Sequence, residues 1–145
     1  MTGVRVVTKF STSVNRRHVV FGAAGIFLAG FADQAALAEP QTFMLFFDHQ
    51  SAELLPFAQA ILLVIKPLIK PNSRTAIVGH ADTSERGPDE LSLARANAVA
   101  TALTRTTLPP GATLVPSSKG TSELRTRTGL NEEEATNRYV SITIE

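Results

Sequence analysis

Past residue 40 the apolar residues come in short bursts whose spacing changes from one burst to the next. Phe43-Met44-Leu45-Phe46-Phe47 is a continuous run of strand length, as expected of a buried strand. Pro56 suits the first turn of a helix, and Phe57 to Ile65 is apolar on most sides, which predicts a largely covered helix that Pro67 and Pro71 stop. Arg74 to His80 reads as a second strand, broken by the polar loop 82–88. Asp89 and Glu90 favour the start of a second helix through its dipole, and Pro109-Pro110-Gly111 closes that helix after about Arg105. Ala112 to Val115 is a short strand, 117–137 is polar without clear period, and Tyr139 to Ile144 alternates like a half-buried strand. The order β-α-β-α-β-β predicts an α+β two-layer sandwich, with the helices packed on one face of a small mixed sheet.

One position breaks the pattern of the second helix. At about 100° per residue, Leu91, Ala98, Val99 and Ala102 cluster on one side, and Arg95 falls among them. A guanidinium cannot neutralise itself by losing a proton, so it needs partners or a route to water. Helical side chains lean toward their N-terminus, which aims Arg95 at the loop that begins with Asp82. The two charges are expected to meet. They would form either an internal ion pair that fixes the loop or a cradle for a zwitterion, with Asp82 taking an ammonium and Arg95 gripping a carboxylate through two parallel bonds.

Charge refines the picture. The chain has 145 residues, a formal net charge of +1 and no cysteine, which excludes disulfides, thiolate metal sites and a lipid-modified N-terminal cysteine. Arg5, Lys9, Arg16 and Arg17 stand against Asp33 alone in residues 1–38, so the remainder is mildly acidic and lacks the clustered basic face that nucleic acid requires. Those first residues read as a signal peptide. Arg16-Arg17 precede an apolar run from Val19 to Phe31, and Ala36-Leu37-Ala38 supplies a small-x-small cleavage site before Glu39. Asn15-Arg16-Arg17-His18 also permits the twin-arginine type. The run falls short of the roughly 20 residues of a spanning helix, although an uncleaved anchor is the alternative. The chain thus divides into a leader, 1–38, and one exported domain, 39–145.

Gly79-His80-Ala81-Asp82 followed by Leu91-Ser92-Leu93-Ala94-Arg95-Ala96, with Phe46-Phe47-Asp48 upstream and Asn137-Arg138-Tyr139-Val140 at the end, resembles the OmpA C-terminal-like domain. That family includes peptidoglycan-associated lipoproteins and the periplasmic domains of flagellar stator proteins. The resemblance covers roughly residues 43–144. It implies non-covalent binding of peptidoglycan through the diaminopimelate of its stem peptides, in the periplasm and against the cell wall, with any outer-membrane link made by a partner. The family's binding aspartate matches Asp82 and its binding arginine matches Arg95. Gln50 and Arg138 fall where the pocket rim is expected. The loop after Asp82 is shorter than usual, Pro88 stands where asparagine is common, and Tyr139 replaces the second arginine of the usual ending, so the rim is where ligand preference would differ.

Other chemistry is thinner. His80 and Asp82, two apart, would share a strand face as a pair of metal ligands, but His49 and His18 are the only other histidines, so no metal and no cofactor are expected. No Gly-x-Ser-x-Gly elbow is present, and an arginine beside Asp82 would make it a poor general acid, which argues against a peptidoglycan-processing enzyme. An envelope protein-interaction domain with a purely structural Asp82–Arg95 pair is the other open reading.

Overall fold

The computed structural model describes residues 39–145, and the leader expected at 1–38 lies outside the described residues. Four strands and two helices follow in the order β1 (Gln41–Phe46), α1 (Pro56–Ile65), β2 (Arg74–Gly79), α2 (Pro88–Thr104), β3 (Thr113–Ser118) and β4 (Tyr139–Ile144). The sheet order is β1-β4-β2-β3. β4 lies antiparallel between β1 and β2, with Ile142 opposite Phe43 on one side and Ile77 on the other, while β3 runs parallel to β2. This is the mixed sheet and α+β order that the pattern predicts. Pro116 falls within β3, an edge strand, where a missing N–H is tolerated.

Alternation divides the sheet into two faces. Leu45, Ile77, Val140, Ile142 and Ile144 join Ala58, Leu62 and Ile65 of α1 and Ala96, Val99 and Leu103 of α2 in one buried cluster. Removing the Leu, Ile and Val side chains among them from water stabilises by about 1.5–3 kcal/mol each, and this layer holds the two helices to the sheet. β2 and α2 touch at Gly79, where an added Cβ would stand 1.8 Å from the carbonyl oxygen of Ser92. Only glycine permits that approach, which sets the start of α2 directly against the end of β2.

Three expectations change. β1 is half-buried, because Leu45 lies in the core while Met44 and Phe46 on the opposite face stay open. α1 is not largely covered: Ala58, Leu62 and Ile65 face inward, but Phe57, Leu63 and Val64 are 64–75% exposed. A helix resting on one layer has an outer side whatever its composition. The buried side of α2 consists of Ser92, Arg95, Ala96, Val99 and Leu103, with Leu91, Ala98 and Ala102 at its margin. The face is therefore rotated from the one drawn through the apolar residues, because the polar Ser92 and Arg95 turn inward. No helix among the described residues is long and apolar enough to cross a membrane.

Candidate functional site

The site lies beyond the end of β2, where the chain leaves the sheet at Gly79 and returns as α2 at Pro88. Gly87 holds a left-handed φ of 56° as the residue before α2, and Pro88 takes the first helical position. Between them the loop folds back so that Asp82 and Glu85 both point inward. Arg95, one turn into α2 from Leu91, rises to meet them.

Asp82 and Arg95 are both fully buried, but they do not pair with each other. Arg95 grips Glu85 instead, with Nη1 donating to Oε2 at 2.8 Å and Nη2 to Oε1 at 2.5 Å, both side chains without exposure. Its remaining donors go to backbone carbonyls: Nε to Ser51, Nη1 also to His80 and Nη2 also to Asp48. The guanidinium also lies 5.4 Å from the centre of the Phe47 ring. Every nitrogen of Arg95 is thus engaged within the chain, which answers how an arginine fits on a buried helix face. The expected Asp82–Arg95 ion pair is replaced by Glu85–Arg95: Glu85, two loop residues beyond Asp82 with Thr83 and Ser84 between them, is the carboxylate that reaches the guanidinium.

Asp82 turns the other way. Its Oδ1 accepts from the Ser84 amide and hydroxyl, and its Oδ2 from Arg138 Nη1 at 2.7 Å and the Glu134 amide. Burial alone pushes its carboxyl upward, but the Ser84 and Arg138 bonds outweigh that and hold it below the usual carboxylate range. Arg138 extends from the start of β4, keeps slight exposure, and also reaches Glu133 on the open rim at 3.3 Å. Arg138 is therefore the direct partner of Asp82 rather than a rim residue alone.

Gln50 clamps the loop. Its side chain accepts from the Arg86 amide and donates to the Arg86 carbonyl, while its own backbone N–H donates to Glu85 Oε1. It does so at a φ of 52°, an uncommon conformation for a residue other than glycine. The Asp82 amide donates to Glu85 Oε2 at 3.1 Å. Four N–H groups, two from Arg95 and one each from Gln50 and Asp82, therefore converge on a single carboxylate.

His80 and Asp82 do not share a strand face, since β2 ends at Gly79. His80 stacks on Tyr139, ring centres 4.1 Å apart and nearly parallel, and burial lowers its imidazole below the ordinary 6.5. The Tyr139 that departs from the family ending thus supplies the platform for His80. No group of three His, Asp or Glu side chains suited to a metal occurs among the described residues. The polar segment 117–137, without period in the sequence, is pinned across the site: Asn137 exchanges two bonds with the Thr126 backbone, and Thr83 Oγ1 bonds Gly129 and Glu132.

Sequence reasoning missed Glu85. The available signal was that a buried guanidinium requires a carboxylate and that the loop offers two, Asp82 and Glu85. Nothing in their spacing chooses between them.

Several solved structures share this architecture. The peptidoglycan-associated lipoprotein from Burkholderia pseudomallei is 24% identical, with 70% of this chain and 89% of that one covered and a TM-score of 0.54. The cell wall anchor of the T6SS from Pseudomonas aeruginosa is also 24% identical, covering 72% and 80% with a TM-score of 0.57. The periplasmic domain of Helicobacter pylori MotB is 19% identical, covering 71% and 80% with a TM-score of 0.59. No curated protein matches the sequence significantly. The family comparison spans Phe46 to Arg138, from the end of β1 through the loop and α2 to the arginine that holds Asp82, and over those residues, 46–138, the chain matches and belongs to the OmpA family.

Proposed function

We propose that this domain binds peptidoglycan non-covalently through the diaminopimelate of its stem peptides, Asp82 taking the ammonium and Arg95 the carboxylate. The observation that carries this reading is the shared carboxylate of Glu85. It is held at once by the Arg95 guanidinium and the backbone amide of Asp82, so the residue proposed to take the ammonium also helps to hold a carboxylate. An amino-acid head group brings the two charges that Asp82 and Arg95 would take. Membership of the OmpA family supports the reading, as do likenesses to proteins named as a peptidoglycan-associated lipoprotein and a cell wall anchor. The location that follows is periplasmic and wall-associated, with any link to the outer membrane made through another envelope protein. Asp82, held in its ionised form by Ser84 and Arg138, suits binding better than proton donation, so the domain is proposed as a binding module and not an enzyme.

A structural role for Arg95 is the second reading, favoured by the internal engagement of all its nitrogens. A pull-down on isolated sacculi, with free diaminopimelate as competitor, tests the function. Arg95→Met combined with Glu85→Leu removes both charges together, a change that buried pairs often tolerate. The folded double variant is expected to lose the sacculi. Retention by that variant removes Arg95 from the ligand site, and failure of the wild-type domain to bind removes the function itself.

A further inference from the structure

Resting on that reading, we propose that Glu85 is an internal stand-in for the ligand's carboxylate, and that its displacement sets the affinity and selectivity of the site. The Glu85 carboxylate accepts four N–H bonds, from Arg95 Nη1 and Nη2, Gln50 and Asp82, with no exposure of its side chain. Those donors fill the acceptor sites of a carboxylate. A ligand carboxylate entering the same seat inherits the same four bonds, so the exchange replaces one anion by another and leaves no buried donor unpaired. Arg95 has no further donor to offer while Glu85 is in place, because its other bonds hold Ser51, His80 and Asp48.

The exchange requires the loop that carries Glu85 to open. Glu85 lies two residues before Gly87, which takes a left-handed φ of 56° ahead of α2, and Arg86 between them is exposed. Next to Glu85 the segment is held at its exposed side by Gln50 on Arg86, while Thr83 ties its first residues to Gly129 and Glu132. Binding then has two stages, release of Glu85 and entry of the ligand, and the apparent affinity falls by the fraction of molecules in the open state. Minor states of this kind are typically populated at about 0.1–10%. Ligands without a carboxylate gain nothing from the vacated seat, so Glu85 also favours ligands that bring one.

The experiment titrates free meso-diaminopimelate and, as a control without carboxylates, 1,5-diaminopentane into the wild-type domain and into Glu85→Ala and Glu85→Gln, with a melting curve for each. Glu85→Gln keeps the volume and the fold if the alanine variant proves unstable, and its amide cannot accept from both arms of Arg95. Diaminopimelate affinity is expected to rise about tenfold or more in the folded variants, with no rise for the diamine. In the wild-type domain the amide resonances of Gln50 and Asp82 should move on diaminopimelate binding, since both change partner. Unchanged or weaker diaminopimelate binding by a folded variant, an equal gain for the diamine, or binding that leaves both amides unmoved overturns the proposal. Sacculus binding by the wild-type domain without any gain in the variants leaves wall attachment standing and removes only the role of Glu85.

Discussion

Arg95 and Arg138 lie at one end of the sheet, each paired with a buried carboxylate, yet they are held in different ways. Arg95 rises from the middle of α2 with no exposure, a two-bond grip on Glu85 and three backbone carbonyls around it. Arg138 stands at the start of β4, makes a single bond to Asp82 and reaches the exposed Glu133 at the rim. The first pair is closed on itself and ties α2 to the β1–α1 connection. The second is open to one side, and Asp82 keeps Ser84 and the Glu134 amide if Arg138 leaves. Charge and partner type are the same, so what differs is that Arg95 supplies two of the four bonds to its carboxylate and Arg138 only one of four.

The largest effect should come from breaking the closed pair. Arg95→Ala leaves the Glu85 carboxylate buried without its cation, and loss of one partner of a buried pair typically costs about 3–5 kcal/mol. A urea denaturation midpoint reads this directly. A loss below about 1 kcal/mol would mean that the pair is as lightly held as a surface one. Arg138→Ala should cost less, about 1–3 kcal/mol, because Ser84 and Glu134 continue to satisfy Asp82. Equal losses at the two arginines would erase the distinction between them.

The inward face of α2 can be located by overpacking. Ala96→Leu should destabilise by about 1–3 kcal/mol, since Ala96 is wholly buried beside Arg95. Ala98→Leu should change stability by no more than about 0.5 kcal/mol, because Ala98 lines an open groove with Leu54 and Thr101. The reverse order would return Arg95 to the face drawn from the apolar pattern alone.

Acid should act on the two regions in separate windows. His80 has its imidazole lowered by burial, so below the ordinary 6.5 the unfolded chain takes up protons that the folded one refuses, and stability declines as pH falls from there. His80→Phe, which keeps the stack on Tyr139, should flatten that decline. Asp82 is also lowered, so its contribution is complete above the ordinary 3.8 and is lost only as pH falls further, through its folded value. Arg138→Ala should weaken this second, more acid step without touching the first. Melting temperatures from pH 8 down to about pH 2 in the three proteins would show whether the windows separate. The smallest effect belongs to an exposed pair away from the site: Arg74→Ala, which removes a 3.5 Å contact with Glu145, should cost at most about 1 kcal/mol.

The order and type of all six elements were legible in the chain, because strands and helices announce themselves through local spacing. The alternation of Tyr139 to Ile144, Pro56 and the acidic pair Asp89-Glu90 act within a few residues of themselves. That Arg95 faces inward was legible too, from its place on α2. The sequence did not determine which carboxylate each arginine would take, since Asp82 and Glu85 occupy the same short loop and either is compatible with the spacing. Nor could it say that α1 keeps an apolar outer side, or that the unpatterned segment 117–137 would be tied down by Asn137 and Thr83. Those outcomes depend on where residues distant in sequence arrive together. Gly79 against Ser92 sets the height of α2, that height sets where the Arg95 guanidinium stands, and the guanidinium takes the carboxylate that can reach it with two bonds.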